Sequence, residues 1–97
     1  MKNVGSRLKQ LRLAYDLSGA LVADEIGLSA NQLWNVERGD SVASSVVVAK
    51  LSKVYKISLD LLFFGDEQTF MALINKIYAG EVQHDHYTLQ GYGRARA

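Results

Sequence analysis

Four glycines, Gly27, Gly39, Gly65 and Gly80, each stand just past a stretch in which apolar residues recur every three or four positions, and the chain contains no proline. A left-handed residue is the common way to end a helix, and glycine adopts it without strain at Cβ. This punctuation predicts an all-α chain. In the first stretch, residues 3–15, Val4, Leu8, Leu11 and Tyr15 make one stripe. Residues 18–26 bring Leu21, Val22 and Ile26 together behind Ser18, a natural N-cap. Residues 29–38 open on Ser29 with Gln32 three positions later, the capping-box pattern. Residues 44–55 carry the clearest stripe, Val47, Val48, Leu51, Val54 and Tyr55. The β-branched run from Val46 to Val48 could open a strand, but Lys50 and Lys53 fall on the polar side of a helical wheel and no partner strand is evident. Ser58 caps a short apolar segment, residues 59–64. Asp66 caps a sixth helix, in which Phe70, Leu73, Ile74, Ile77 and Tyr78 keep helical spacing as far as Gly80.

Composition narrows what such a chain can do. Without cysteine there is neither a disulfide framework nor a thiolate metal site, so stability must come from the core. Ninety-seven residues, 48% hydrophobic and 22% charged, suit one small domain. No stretch approaches the ~18 apolar residues of a membrane span, and the first residues are polar, so a cytoplasmic protein is expected. A net charge of +1 excludes a protein that coats nucleic acid by bulk electrostatics. Nucleic-acid binding would require a shaped site.

Such a site is suggested by residues 18–38. Only Gly27 and Leu28 separate the second helical segment from the Ser29 cap of the third, and Ala23 lies four before the glycine. Alanine lets two helices approach, glycine permits the positive φ of the turn, and Leu33 and Val36 pack beneath. With Arg7-Leu8-Lys9-Gln10-Leu11-Arg12, Leu17-Ser18, Ile26-Gly27-Leu28-Ser29, Val36-Glu37-Arg38-Gly39 and Ile57-Ser58-Leu59-Asp60-Leu61-Leu62, this corner resembles the helix-turn-helix domain of phage repressors and Cro, the xenobiotic-response-element family. The resemblance runs without a gap from Gly5 to Gly65.

What the resemblance implies is a five-helix repressor-like domain, residues 1–65, followed by a C-terminal amphipathic helix and short tail, residues 66–97. The third helix would lie in the major groove of a double-stranded DNA operator, with Ala30, Asn31, Gln32, Trp34 and Asn35 toward base edges. Asn and Gln can pair bidentately with adenine, and Ala30 can meet a thymine methyl. Lys9, Ser18, Ser29, Arg38, Ser41 and Ser44 would anchor phosphates. Arg12 and Glu37 match a pair that ties the first helix to the third and are read as structural. Phe70, Leu73, Ile74 and Ile77 could close the chain's own core or form a homodimer interface, and the interface is favoured because the five-helix domain is already complete at Gly65.

Several positions depart from the family pattern, among them Val42-Ala43, which replaces a loop that often holds proline. Gly19 stands where glutamine usually touches phosphate and braces the reading side chain. Trp34 stands where a small or polar residue is usual, and could pack on sugar or base methyls, cover its own domain or mark a protein-binding surface. Asp40 replaces a residue that is often basic, and would weaken phosphate binding unless Arg38 neutralises it.

The tail offers less. A short strand around Val82, His84 and His86 is conceivable, Gly91 to Ala97 are expected to fray, and Arg94 and Arg96 could form a basic arm. His84-Asp85-His86 lacks the further ligands of a metal site. No catalytic constellation, cofactor or metal is implied, and the length leaves no room for the self-cleaving domain of some phage repressors. The expected function is a transcriptional regulator, most simply a repressor, bound to a palindromic operator as a homodimer. It would be cytoplasmic and nucleoid-associated. An antitoxin-like module holding a toxin or other protein through Trp34 and the last helix is the alternative.

Overall fold

The computed structural model describes residues 4–84, which form six helices and, among the described residues, no strand. They are α1 (Val4–Ala14), α2 (Gly19–Ile26), α3 (Ala30–Arg38), α4 (Ser45–Tyr55), α5 (Leu59–Phe64) and α6 (Glu67–Tyr78). The all-α expectation holds. Of the anticipated features, Asn3, His86, the Gly91 to Ala97 tail and the Arg94 and Arg96 arm lie outside the described residues.

Each helix after α1 starts on a side chain that accepts from the backbone three residues on: Ser18 from Leu21, Ser29 from Gln32, Ser44 from Val47, Ser58 from Leu61 and Asp66 from Thr69. These bonds satisfy N–H groups that a helix leaves without an internal partner. The ends are less uniform. Gly27 and Gly39 are left-handed, each with φ 84°, as expected. Gly65 is not: its φ of −63° is open to any residue, and the glycine is needed because a Cβ there would lie 2.2 Å from Leu61 Cδ1. Lys56 takes the left-handed cap of α4 that the sequence did not mark with a glycine.

Leu8 and Leu11 of α1, Val22 and Ala23 of α2, Leu33 of α3, Leu51 and Tyr55 of α4 and Leu62 of α5 are fully buried together. Phe70 of α6 is buried with them, and Ile74 and Ile77 nearly so. This corrects the interface expectation for those three residues. They are spent on the chain's own core, and Leu73 remains half-buried at its edge. Arg7, whose side chain is buried against this core, links the same helices. Its Nη1 donates to the Leu61 carbonyl at 2.9 Å, at the C-terminal end of α5, where that oxygen also accepts from the Gly65 N–H. Its guanidinium lies 4.7 Å from the Phe70 ring centre, and Nη2 stands 3.8 Å from Glu67. A cation that needs oxygens and an aromatic face draws α6 onto α1 and α5.

Candidate nucleic-acid interface

The corner between α2 and α3 is built as its residue types require. Ala23 is fully buried, and its carbonyl accepts from Leu28 at 2.8 Å across the left-handed Gly27. Leu33 and Val36 close the inner side. At the head of α3, Ser29 Oγ accepts from the Gln32 N–H while Gln32 Oε1 accepts from the Ser29 N–H at 2.8 Å, so the capping box is complete.

Two features fix α3 on α1. Arg12 donates from Nε to Glu37 Oε2 at 2.8 Å and from Nη2 to Oε1 at 3.0 Å, and a third bond from Nη1 reaches the Leu17 carbonyl. Both partners are buried, and the hydrogen bond to Glu37 holds the guanidinium above its already high ordinary pKa, against the opposing effect of burial. The second feature was missed in the sequence. A Cβ on Gly5 would lie 2.3 Å from the Val36 carbonyl oxygen, so the first turn of α1 can meet the end of α3 only with glycine there. A glycine inside a helical stripe, where it weakens the helix, was the available signal.

With Leu33, Val36 and Glu37 turned inward, a period of 100° per residue puts Asn31, Asn35 and Arg38 on the outward face of α3. The five residues expected to read bases therefore separate. Asn31 and Asn35 share the outward stripe, Gln32 serves the cap on one flank, Trp34 stands on the other, and Ala30 is half-buried. Among the phosphate candidates, Ser18, Ser29 and Ser44 each use the hydroxyl oxygen as a cap acceptor, which leaves the hydroxyl hydrogen to donate. Lys9 and Ser41 are exposed.

Three departures from the family pattern, Gly19, Trp34 and Asp40, resolve into two pairs. A Cβ on Gly19 would lie 2.6 Å from Trp34 Nε1 and 3.4 Å from Cδ1, so the indole fills the space that a larger residue at position 19 would take. Trp34 also helps line a cleft of ≈ 190 Å³ with Lys9, Arg12, Glu37 and Arg38. Asp40 is held by Arg38, whose Nε donates to Oδ2 at 3.0 Å, and Arg38 Nη2 donates to Asn35 Oδ1. Arg38 neutralises the acidic residue, and its charge is correspondingly less available to phosphate.

Among the described residues no helix is long and apolar enough to cross a membrane, and no group of three or more His, Cys, Asp or Glu could hold a metal ion. A family model described as a helix-turn-helix domain matches residues 3–62. No curated protein and no solved structure matches the chain.

Proposed function

This chain belongs to the helix-turn-helix domain family, and from that premise we propose that it is a sequence-specific transcriptional regulator, acting as a repressor that binds a palindromic operator as a homodimer. The observation that carries the reading is the outward face of α3. Asn31 and Asn35 lie four residues apart on the side opposite the core, beside the capped starts of α2, α3 and α4. That arrangement presents two amides to base edges and three hydroxyls to the flanking phosphates. The reading assigns the chain no catalytic step.

With Phe70, Ile74 and Ile77 committed to the core, a second copy would meet the apolar side chains left outside, Leu59 and Phe64 on α5 and Tyr78 on α6. Two-fold pairing would set half-sites ~34 Å apart, one turn of DNA. The same side chains favour a second reading, an antitoxin-like module that holds another protein by this face. Trp34 supports that reading less, since its indole packs on Gly19.

The test is selection of bound duplexes from a random pool at moderate salt. The expected result is an inverted repeat with fixed spacing, and Asn31→Ala or Asn35→Ala should relax preference at one base pair per half-site with the melting temperature nearly unchanged. A pool that enriches no motif would refute sequence-specific binding. Enrichment of a single, unrepeated half-site would refute the homodimer alone.

A further inference from the structure

Asn35 does not stand in the groove-facing stripe as an unconstrained amide. Its side-chain oxygen accepts from Arg38 Nη2, and Arg38 is held in turn by Asp40 through the 3.0 Å bond from Nε. The backbone closes the same ring. Left-handed Gly39 turns the chain back, and the Asp40 N–H donates to the Asn35 carbonyl at 2.9 Å. An arginine can only donate, so the end of the amide facing it must be the oxygen. The NH2 group is then the end left for the groove.

That orientation matters for which base is read. Bidentate pairing of asparagine with adenine needs both ends of the amide on one base edge, the oxygen accepting from N6 and the NH2 donating to N7. An amide whose oxygen is turned to its own chain presents donors, and adenine's N6 group would then oppose donor with donor. Guanine offers two acceptors side by side, N7 and O6. Resting on the proposed reading of DNA by α3, we propose that Asp40 and Arg38 are positioning residues that fix Asn35 as a hydrogen-bond donor, so that the base it faces is guanine. Gln32 follows the same pattern on the flank of the helix, where its oxygen is engaged by the Ser29 N–H. The acidic residue at position 40 thereby gains a purpose. It anchors the arginine that turns the amide.

The full chain is tested by selection from a random duplex pool, in parallel for the wild type, Asn35→Ala, Arg38→Met and Asp40→Ala. Asn35→Ala identifies the base pair concerned, as the position whose preference is lost. Guanine is expected there in the wild type, favoured over adenine roughly tenfold or more. Arg38→Met and Asp40→Ala should both shift that single position toward adenine, which a general loss of phosphate contact or of folding would not do. Arg38→Met should also weaken binding across all sequences, whereas Asp40→Ala should strengthen it. Adenine at that position in the wild type, or an unchanged guanine preference in Arg38→Met, would overturn the proposal while leaving DNA recognition by α3 intact. Failure of the wild type to enrich any motif would remove the underlying reading and this inference with it.

Discussion

Substituting Gly19 tests whether the two largest departures from the family pattern are one packing unit. In Gly19→Ala the new methyl would start 2.6 Å from Trp34 Nε1, whereas carbon contacts settle near ~3.5–4.0 Å. The indole must therefore retreat by about 1 Å, and overpacking of this kind costs roughly 1–3 kcal/mol. Opposing it, loss of glycine's freedom in the unfolded chain stabilises by about 0.4–1 kcal/mol, because the backbone at position 19 is not left-handed. The net effect is a destabilisation of roughly 0–2.6 kcal/mol. In a Trp34→Ala background the clash is gone and the sign reverses, so Gly19→Ala should stabilise by about 0.4–1 kcal/mol. The four proteins form a double-mutant cycle read by urea denaturation, with a coupling of about 1–3 kcal/mol. Trp34 is the only tryptophan, so its emission also reports whether the ring has moved toward water. An equal effect of Gly19→Ala with and without Trp34 would refute the reasoning.

Other expectations follow from the buried contacts. Arg12→Ala should cost about 3–5 kcal/mol by leaving Glu37 charged and unpaired, while Arg12→Met with Glu37→Leu should be close to neutral; thermal melts of the two variants decide this. Phe70→Ala should cost about 3–5 kcal/mol, with a loss of melting temperature independent of protein concentration, because the ring fills the core of one chain. A loss that vanished on concentrating the protein would instead place Phe70 between copies. Burial raises the Tyr15 phenol from 10.0 to about 12 and pushes Tyr55 up as well. Folding therefore favours the protonated phenols. Their contribution is complete below pH ~10 and is lost as pH rises through the folded-state value. Urea midpoints should begin to fall above pH ~10, and Tyr15→Phe should reduce the alkaline fall at the expense of its 2.6 Å bond to the Tyr55 carbonyl.

How much of this could be read from the sequence depended on how local the governing interaction is. The helix starts were legible because each cap acts within three residues of itself, as at Ser29 with Gln32 or Asp66 with Thr69. The pairing of Arg12 with Glu37 was legible only through the family pattern, since 25 residues separate the partners. The stripe on α6 showed which face is apolar but not what covers it. A second copy and the chain's own α1 answer the same periodicity, and the deciding signal was Arg7, a cation next to Leu8 in the core stripe. Gly19 and Trp34 were each visible as exceptions. Their compensation is a contact between two helices, which no spacing rule encodes. Gly65 misled because a glycine after a helix has two uses, positive φ and missing volume, and sequence alone does not separate them.

The net charge of +1 also takes on a more definite meaning once the cations are placed. α1 and α3 carry Arg7, Lys9, Arg12 and Arg38, and three of these face carboxylates: Arg7 Glu67, Arg12 Glu37 and Arg38 Asp40. Arg7 and Arg12 are buried besides, so on these two helices only Lys9 offers an uncompensated positive charge to phosphate. Since non-specific affinity grows with the number of phosphates neutralised, these two helices can add little to binding at random sequence. In the proposed reading the contacts that remain are directional ones from the α3 amides and from the N-cap hydroxyls. They discriminate between sequences more than they add affinity. Under the proposed homodimer such a reader would reach useful occupancy by coupling two half-sites, where the second contact is made at high effective concentration and without further charge. In the proposed homodimer, exposed apolar side chains such as Leu59, Phe64 and Tyr78 would supply the pairing that the sparse cations do not.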